Sequence, residues 1–64
     1  MSKLFTFLEN FDTANLIKLY DENGKLIFDG EVGDVPQKIL NQMSVIRGTV
    51  KNVNNVLIII VRKS

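Results

Sequence analysis

Two carboxylates, Asp29 and Glu31, stand two residues apart in a stretch that alternates apolar and polar residues, so both should point to one face of a strand. Such a pair can act as acid and base or hold a hard cation. Lys18 is expected to lie opposite Asp29, however, and no third ligand accompanies the pair. We therefore expect neither catalysis nor metal binding here.

The sequence also lacks the other side chains and motifs that commonly support catalysis or cofactor binding. The 64 residues include no histidine, the commonest general base and metal ligand, and no cysteine for thiolate chemistry or disulfides. Gly30 and Gly33 lack the spacing and the lysine that phosphate-binding loops need, and Asp34 behind them would repel a phosphate. We predict a non-enzymatic protein that uses no cofactor.

One aromatic side chain and several cations are predicted to share a sheet face. Tyr20 would lie near Lys18, Lys51, Arg47 and Arg62, with Arg47 facing Arg62 across two strands. Rings beside cations are how many single-strand nucleic-acid binders stack bases. Because only one aromatic is present and carboxylates share the face, weak binding of single-stranded nucleic acid is our second hypothesis.

The composition is that of one small globular domain spanning residues 1–64. Hydrophobic residues make up 45% of the chain and charged residues 23%. The net charge of +1 gives no strong attraction to nucleic acid or anionic membranes. No apolar run approaches the ~20 residues of a membrane-spanning helix, and the lack of cysteine suits a reducing compartment. We expect a cytoplasmic protein without membrane contact.

The clearest predicted element is a β-hairpin of residues 15–21 and 25–32. Asn23-Gly24 predicts a two-residue type I′ turn, which needs positive φ at both central residues. That turn pairs Lys18 with Asp29, Leu19 with Phe28, and Tyr20 with Ile27. The core face would then carry Ile17, Leu19, Leu26 and Phe28.

The segment 3–11 is predicted to be a helix. Its apolar residues recur at helical spacing, and Ser2 could serve as the N-cap. A strand is the alternative, because Phe5, Phe7 and Phe11 also alternate.

A second helix is predicted for residues 35–43. Asp34 and Gln37 have the spacing of a capping box, and Pro36 suits the first turn of a helix.

A second hairpin is predicted for residues 45–53 and 56–62, turning at Asn54-Asn55. It pairs Val50 with Ile59 and Thr49 with Ile60, and Gly48 suggests a bulge. One face would carry Ile46, Val50, Leu57, Ile59 and Val61. Because the last strand is apolar on both faces, it should lie centrally, beside the first strand. The predicted fold is α+β, α-β-β-α-β-β, with a four-stranded sheet of order 2-1-4-3 and both helices on one face.

The sheet face away from the helices is the predicted interaction surface. An apolar patch with a charged rim often marks a contact site, although long lysine and arginine stems could simply cover it. The patch residues are Leu16, Tyr20, Ile27, Ile58 and Ile60. Our first hypothesis is a non-catalytic protein-interaction module or modulator that uses this face, with a homodimer as the simplest case.

The stretch LYDENGKLIFDGEV at residues 19–32, followed by GDVP at 33–36, resembles a group of short uncharacterised proteins of Firmicutes and their phages or mobile elements. The resemblance covers residues 4–61 and rests on turn and cap motifs. It implies a bacterial or phage cytosolic origin and carries over no activity or site residues.

Overall fold

A computed structural model describes residues 2–64, apart from the side chain of Ser2. It has an α+β fold with six strands and two short helices, as the sequence predicts in outline. The elements in chain order are β1 (Ser2–Lys3), α1 (Leu4–Leu8), β2 (Leu16–Tyr20), β3 (Leu26–Glu31), a 3₁₀ turn (Val32–Asp34), α2 (Gln37–Gln42), β4 (Met43–Val45), β5 (Lys51–Val53) and β6 (Val56–Lys63).

Strand β6 forms the centre of the sheet. One edge pairs in parallel with β2, and the other pairs antiparallel with β5 and then with β4. β3 lies beyond β2, and β1 lies beyond β4. The prediction that the last strand lies beside the first strand of the first hairpin is confirmed, because β6 pairs with β2. The predicted third strand is divided into β4 and β5, and the short β1 extends the sheet.

The hydrophobic core lies on one face of this sheet. Alternate residues of β2 and β6 supply Ile17, Leu19, Leu57, Ile59 and Val61, all nearly inaccessible to solvent. Leu4 and Leu8 of α1 complete the cluster, and the α2 side chains Ile39 and Leu40 pack against it. Both helices therefore cover the same face, as predicted. Burying each large aliphatic side chain contributes about 1.5–3 kcal/mol.

The N-terminal segment is mainly helical, as predicted, but the helix spans Leu4–Leu8 and not residues 3–11, and the strand alternative is wrong because Phe5 and Phe7 lie in the helix. Ser2 and Lys3 pair with Val45 and Ser44, and the helix begins only at Leu4. Lys3 occupies the N-cap position without a side-chain capping bond. The prediction of Ser2 as N-cap is wrong because its backbone belongs to the sheet.

The start of α2 also differs from the prediction. Asp34 ends the 3₁₀ turn, Pro36 is at the N-cap position, and the helix begins at Gln37. A residue before proline is forced towards extended backbone, and Val35 accordingly has ψ 123°. The predicted capping box is wrong because this extended residue separates Asp34 from the helix. The Gln37 side chain instead donates to Asn41 Oδ1 over 3.1 Å.

The first hairpin turns through three residues, 22–24, and not through two. Gly24 N–H donates to Asp21 O over 3.0 Å, and Gly24 has the only positive φ in the loop, at 83°. The Asp21 carboxylate accepts bonds from the N–H groups of Asn23 and Lys25 at 2.8 and 2.9 Å. These bonds favour a type I turn followed by a left-handed glycine over the predicted type I′ turn.

A bulge at Ile27 offsets this extra loop residue. Tyr20 lies opposite Leu26, whereas Leu19 lies opposite Phe28 and the predicted pairing of Lys18 with Asp29 is confirmed. The predicted pairing of Tyr20 with Ile27 is wrong, and so is the core position of Leu26. Leu26 is 45% exposed, while Ile27 is half-buried against the core.

The second hairpin has the predicted two-residue turn. Asn54 and Asn55 have φ of 52° and 66°, and Val53 lies opposite Val56. Towards the N-terminus, the regular pairing with β6 stops at Lys51 and resumes at Val45. The register of the two paired segments differs by three residues. Residues 46–50 form the intervening loop, with Gly48 at φ 84°.

Thr49 bridges this interruption. Its hydroxyl donates to Ile46 O over 2.6 Å, and Thr49 Oγ1 accepts a bond from Ile60 N–H over 3.4 Å. The predicted proximity of Thr49 to Ile60 is thus achieved through a side chain. Because Val45 faces the core opposite Val61, the next residue, Ile46, lies on the other sheet face. The prediction of Ile46 as a core residue is wrong.

Candidate functional site

We term the sheet face that neither helix covers the open face. Strand registers arrange its side chains in three rows across β5, β6, β2 and β3. The first row reads Val53, Val56, Leu16 and Glu31. The middle row reads Lys51, Ile58, Lys18 and Asp29. The third row reads Ile60, Tyr20 and Leu26, with no β5 residue.

Apolar side chains dominate the two outer rows of the open face. Leu16 and Val53 are both 48% exposed, although each is a large hydrophobic residue. Tyr20, Val56, Ile58 and Ile60 are half-buried but are not part of the core cluster. Because the core lies on the other face, their shelter comes from neighbours on this one. The open face therefore retains apolar surface that folding has not covered.

Four of the five predicted patch residues come together on the open face. Leu16, Tyr20, Ile58 and Ile60 occupy neighbouring positions of β2 and β6. Ile27 does not join them, because the bulge directs its side chain towards the core. Leu26 takes its place opposite Tyr20.

Three further residues of the apolar patch were not among those predicted: Leu26, Val53 and Val56. Leu26 could have been recognised from the turn sequence, because Asp at the first position and Gly at the fourth position are typical of a type I turn. That turn adds one loop residue and moves Leu26 opposite Tyr20. Val53 and Val56 follow from the Asn54-Asn55 turn itself, since the residues that flank a two-residue turn share one face.

The predicted cationic residues are only partly brought together. Lys18 and Lys51 occupy the middle row, separated by Ile58. Arg62 lies opposite Ser44 on β4, whereas Arg47 is exposed in the loop between β4 and β5. The predicted facing pair of Arg47 and Arg62 is wrong, because the three-residue register change removes Arg47 from the ladder.

The middle row carries opposite charges at its two ends. Lys51 on β5 and Asp29 on β3 are separated by the width of three strand spacings, roughly 14 Å. Lys18, beside Asp29, supplies a second cation. The row therefore runs from positive to negative across the sheet.

Two further polar features of the described residues are their potential metal ligands and an open pocket. Across residues 2–64, no group of three or more histidine, cysteine, aspartate or glutamate side chains is placed to hold a metal ion. An open pocket of about 310 Å³ lies at the end of α2. Its lining residues are Asn41, Gln42, Lys63 and Ser64.

We compared the chain with protein-family models, with curated proteins and with solved structures, and none matches it. The resemblance to short Firmicutes and phage proteins therefore stays a prediction. In the described part of the chain, no helix has the length and apolar character needed to cross a membrane.

Proposed function

We propose that this protein is a non-catalytic interaction module that binds a protein through its open face. One observation carries the proposal. Half-buried Ile58 and Ile60 share with exposed Leu16 and Leu26 a sheet face that no helix covers. Such apolar surface rimmed by charge is typical of protein-binding sites.

The arrangement of charge and apolar area favours a protein over nucleic acid. Tyr20 lies between Ile60 and Leu26 across the sheet, so its partners on both neighbouring strands are aliphatic, and Lys18 is its one cationic neighbour along β2. Asp29 and Glu31 line the β3 side, where they would repel a phosphate backbone. A protein partner can use both the apolar rows and the mixed charges.

A photo-crosslinking residue placed on the open face tests this proposal. We would introduce p-benzoylphenylalanine in place of Leu26, which is 45% exposed on the open face, and illuminate living cells that produce the protein. Phe5 is the matched control position, because it is 47% exposed but lies on α1. We expect protein adducts, including any second copy of the chain, from position 26 only.

The result that contradicts the proposal is equally specific. If position 26 gives no protein adduct, or gives no more than position 5, the open face is not a protein-binding site. If its adducts contain nucleic acid, and labelled oligonucleotides bind in a salt-sensitive way, the second hypothesis replaces the first.

A further inference from the structure

The middle row of the open face has a property that its neighbours lack. Read from β5 to β3, it is Lys51, Ile58, Lys18 and Asp29, with a cation at one end and an anion at the other. When a second, reversed row is placed over it, a cation faces an anion at each end. The partner that provides a reversed row is a second copy of the same chain.

We propose that two copies pack open face to open face, related by a two-fold axis that runs parallel to the strands between β6 and β2. The proposal rests on the proposed function and names its partner. Under this symmetry β5 of each copy lies over β3 of the other. Lys51 then meets Asp29 of the second copy, and the same contact forms twice because the interface is isologous.

The charges also disfavour an in-plane two-fold axis that crosses the strands at the middle row. An axis across the strands would place every strand over its own copy, so Lys51 would face Lys51 and Asp29 would face Asp29. Like charges facing each other in an interface oppose association. Only the axis along the strands pairs opposite charges at both ends of the row.

The outer rows are compatible with this symmetry. In the third row, Tyr20 of each copy lies over Ile60 of the other. In the first row, Leu16 similarly lies over Val56. Aromatic and aliphatic side chains therefore meet beside the axis in the two outer rows. In the middle row Lys18 of each copy lies over Ile58 of the other, and the Lys51–Asp29 contacts lie at the edges.

The size of the patch predicts a reversible dimer. Strands lie about 4.8 Å apart and residues on one face repeat about every 6.8 Å, so the three rows cover roughly 400 Å² per copy. Permanent dimers bury about 800 Å² or more per partner. We therefore expect dimers to form in the micromolar to millimolar range, where sedimentation equilibrium can measure the dissociation constant.

A charge-swap experiment tests both the partner and the orientation. Lys51→Asp makes both edge contacts Asp–Asp, and Asp29→Lys makes both Lys–Lys, so we expect each variant alone to dimerise at least about 10-fold more weakly. Mixed in equal amounts, the two variants form only Asp–Lys contacts. We expect the mixture to form heterodimers about as readily as the wild type forms homodimers, measured by fluorescence energy transfer between labelled variants.

The controls separate folding from association. A heterodimer signal requires both variants to be folded, so recovery in the mixture excludes misfolding as the cause of the single-variant defects. Lys38→Asp changes an exposed lysine of α2 and should leave the dissociation constant unchanged. Lys51 and Asp29 are too far apart to interact within one copy, so recovery must arise between copies.

Two results would overturn the inference. If the wild type stays monomeric at millimolar concentration while position 26 crosslinks to other proteins, the partner is not a second copy and the proposed function still stands. If dimers form but the mixed variants do not recover, the two-fold axis does not run along the strands. Absence of protein adducts at position 26 would contradict the proposed function and this inference together.

Discussion

The two hairpins of this sheet both depart from a regular two-stranded ladder, but at different distances from their turns. In the first, the loop has three residues and a bulge at Ile27 follows at once. In the second, the turn at Asn54 and Asn55 is regular, and the ladder breaks only beyond Lys51.

A single polar side chain bonds to the backbone at each irregularity. Asp21 accepts two N–H groups inside the first loop, and Thr49 bonds to Ile46 and Ile60 in the second hairpin. Local side-chain bonds of this kind compete with the ladder for backbone groups. The comparison therefore teaches that register here depends on these two side chains as well as on the turn residues.

The largest effect should come from Thr49→Val, which keeps the shape of the side chain and removes its hydroxyl. Ile60 N–H loses its bond to the hydroxyl in a part-buried position, and Ile46 O keeps the bond from the Thr49 backbone N–H but loses the one from the side chain. We expect the free energy of unfolding to fall by about 1–3 kcal/mol, measured by urea denaturation. Thr49→Ser keeps the hydroxyl and should lose less. Equal losses in both variants would show that the methyl group matters and the hydroxyl does not.

Gly24→Ala tests the left-handed residue of the first loop. A Cβ at Gly24 has open space, with no heavy atom within 4 Å, so its cost is purely conformational. At φ 83° we expect a loss of about 1–2 kcal/mol in the free energy of unfolding, measured as above. Gly24→Asn should lose less, because asparagine tolerates this region. An unchanged stability for the alanine variant would mean that the loop has another conformation.

Asp21→Ala removes the side chain that favours the three-residue loop. The two lost bonds are solvent-exposed, so we expect destabilisation of about 1 kcal/mol. The more informative result is the register, because without Asp21 the Asn23-Gly24 pair can form its type I′ turn. Nuclear Overhauser contacts should then place Tyr20 opposite Ile27. Asp21→Asn keeps the accepting oxygen and should retain the pairing of Tyr20 with Leu26.

Asn55→Gly should have the smallest effect and the opposite sign. Asn55 has φ 66°, which glycine adopts without a Cβ penalty. We expect a gain of a few tenths of a kcal/mol in the free energy of unfolding, part of the relief being offset by glycine's greater freedom in the unfolded chain. A measured loss would show that the asparagine side chain contributes a bond to the turn.

Several features of the fold could be predicted because they depend on patterns that extend over many residues. Alternation identified the core set Leu57, Ile59 and Val61, and the apolar character of both faces placed β6 at the centre of the sheet. The residues at which the two helices begin were predicted less accurately. Val35 becomes extended before Pro36, and the residues before α1 are used in strand pairing, so neither expected cap forms.

The open face was predicted in position but not in full composition. Leu16, Tyr20, Ile58 and Ile60 follow from strand alternation, which a distant irregularity does not disturb. Ile27 and Leu26 exchange faces because one residue is added to the loop and one to the strand. Arg47 is absent from the open face for a related reason. The register against β6 changes by three residues between β4 and β5, and Arg47 lies in the loop where it changes. The alternation of apolar and polar residues along a strand does not reveal such insertions.

The central position of β6 has a consequence for the way the protein is made. Every other strand precedes β6 in the described chain, yet β2, β4 and β5 each pair with it. A nascent chain that has emerged only as far as Asn55 can form the first hairpin but cannot close the core. Productive folding must therefore wait for residues 56–63 to leave the ribosome, and until then the apolar faces of β2 are open to chaperones.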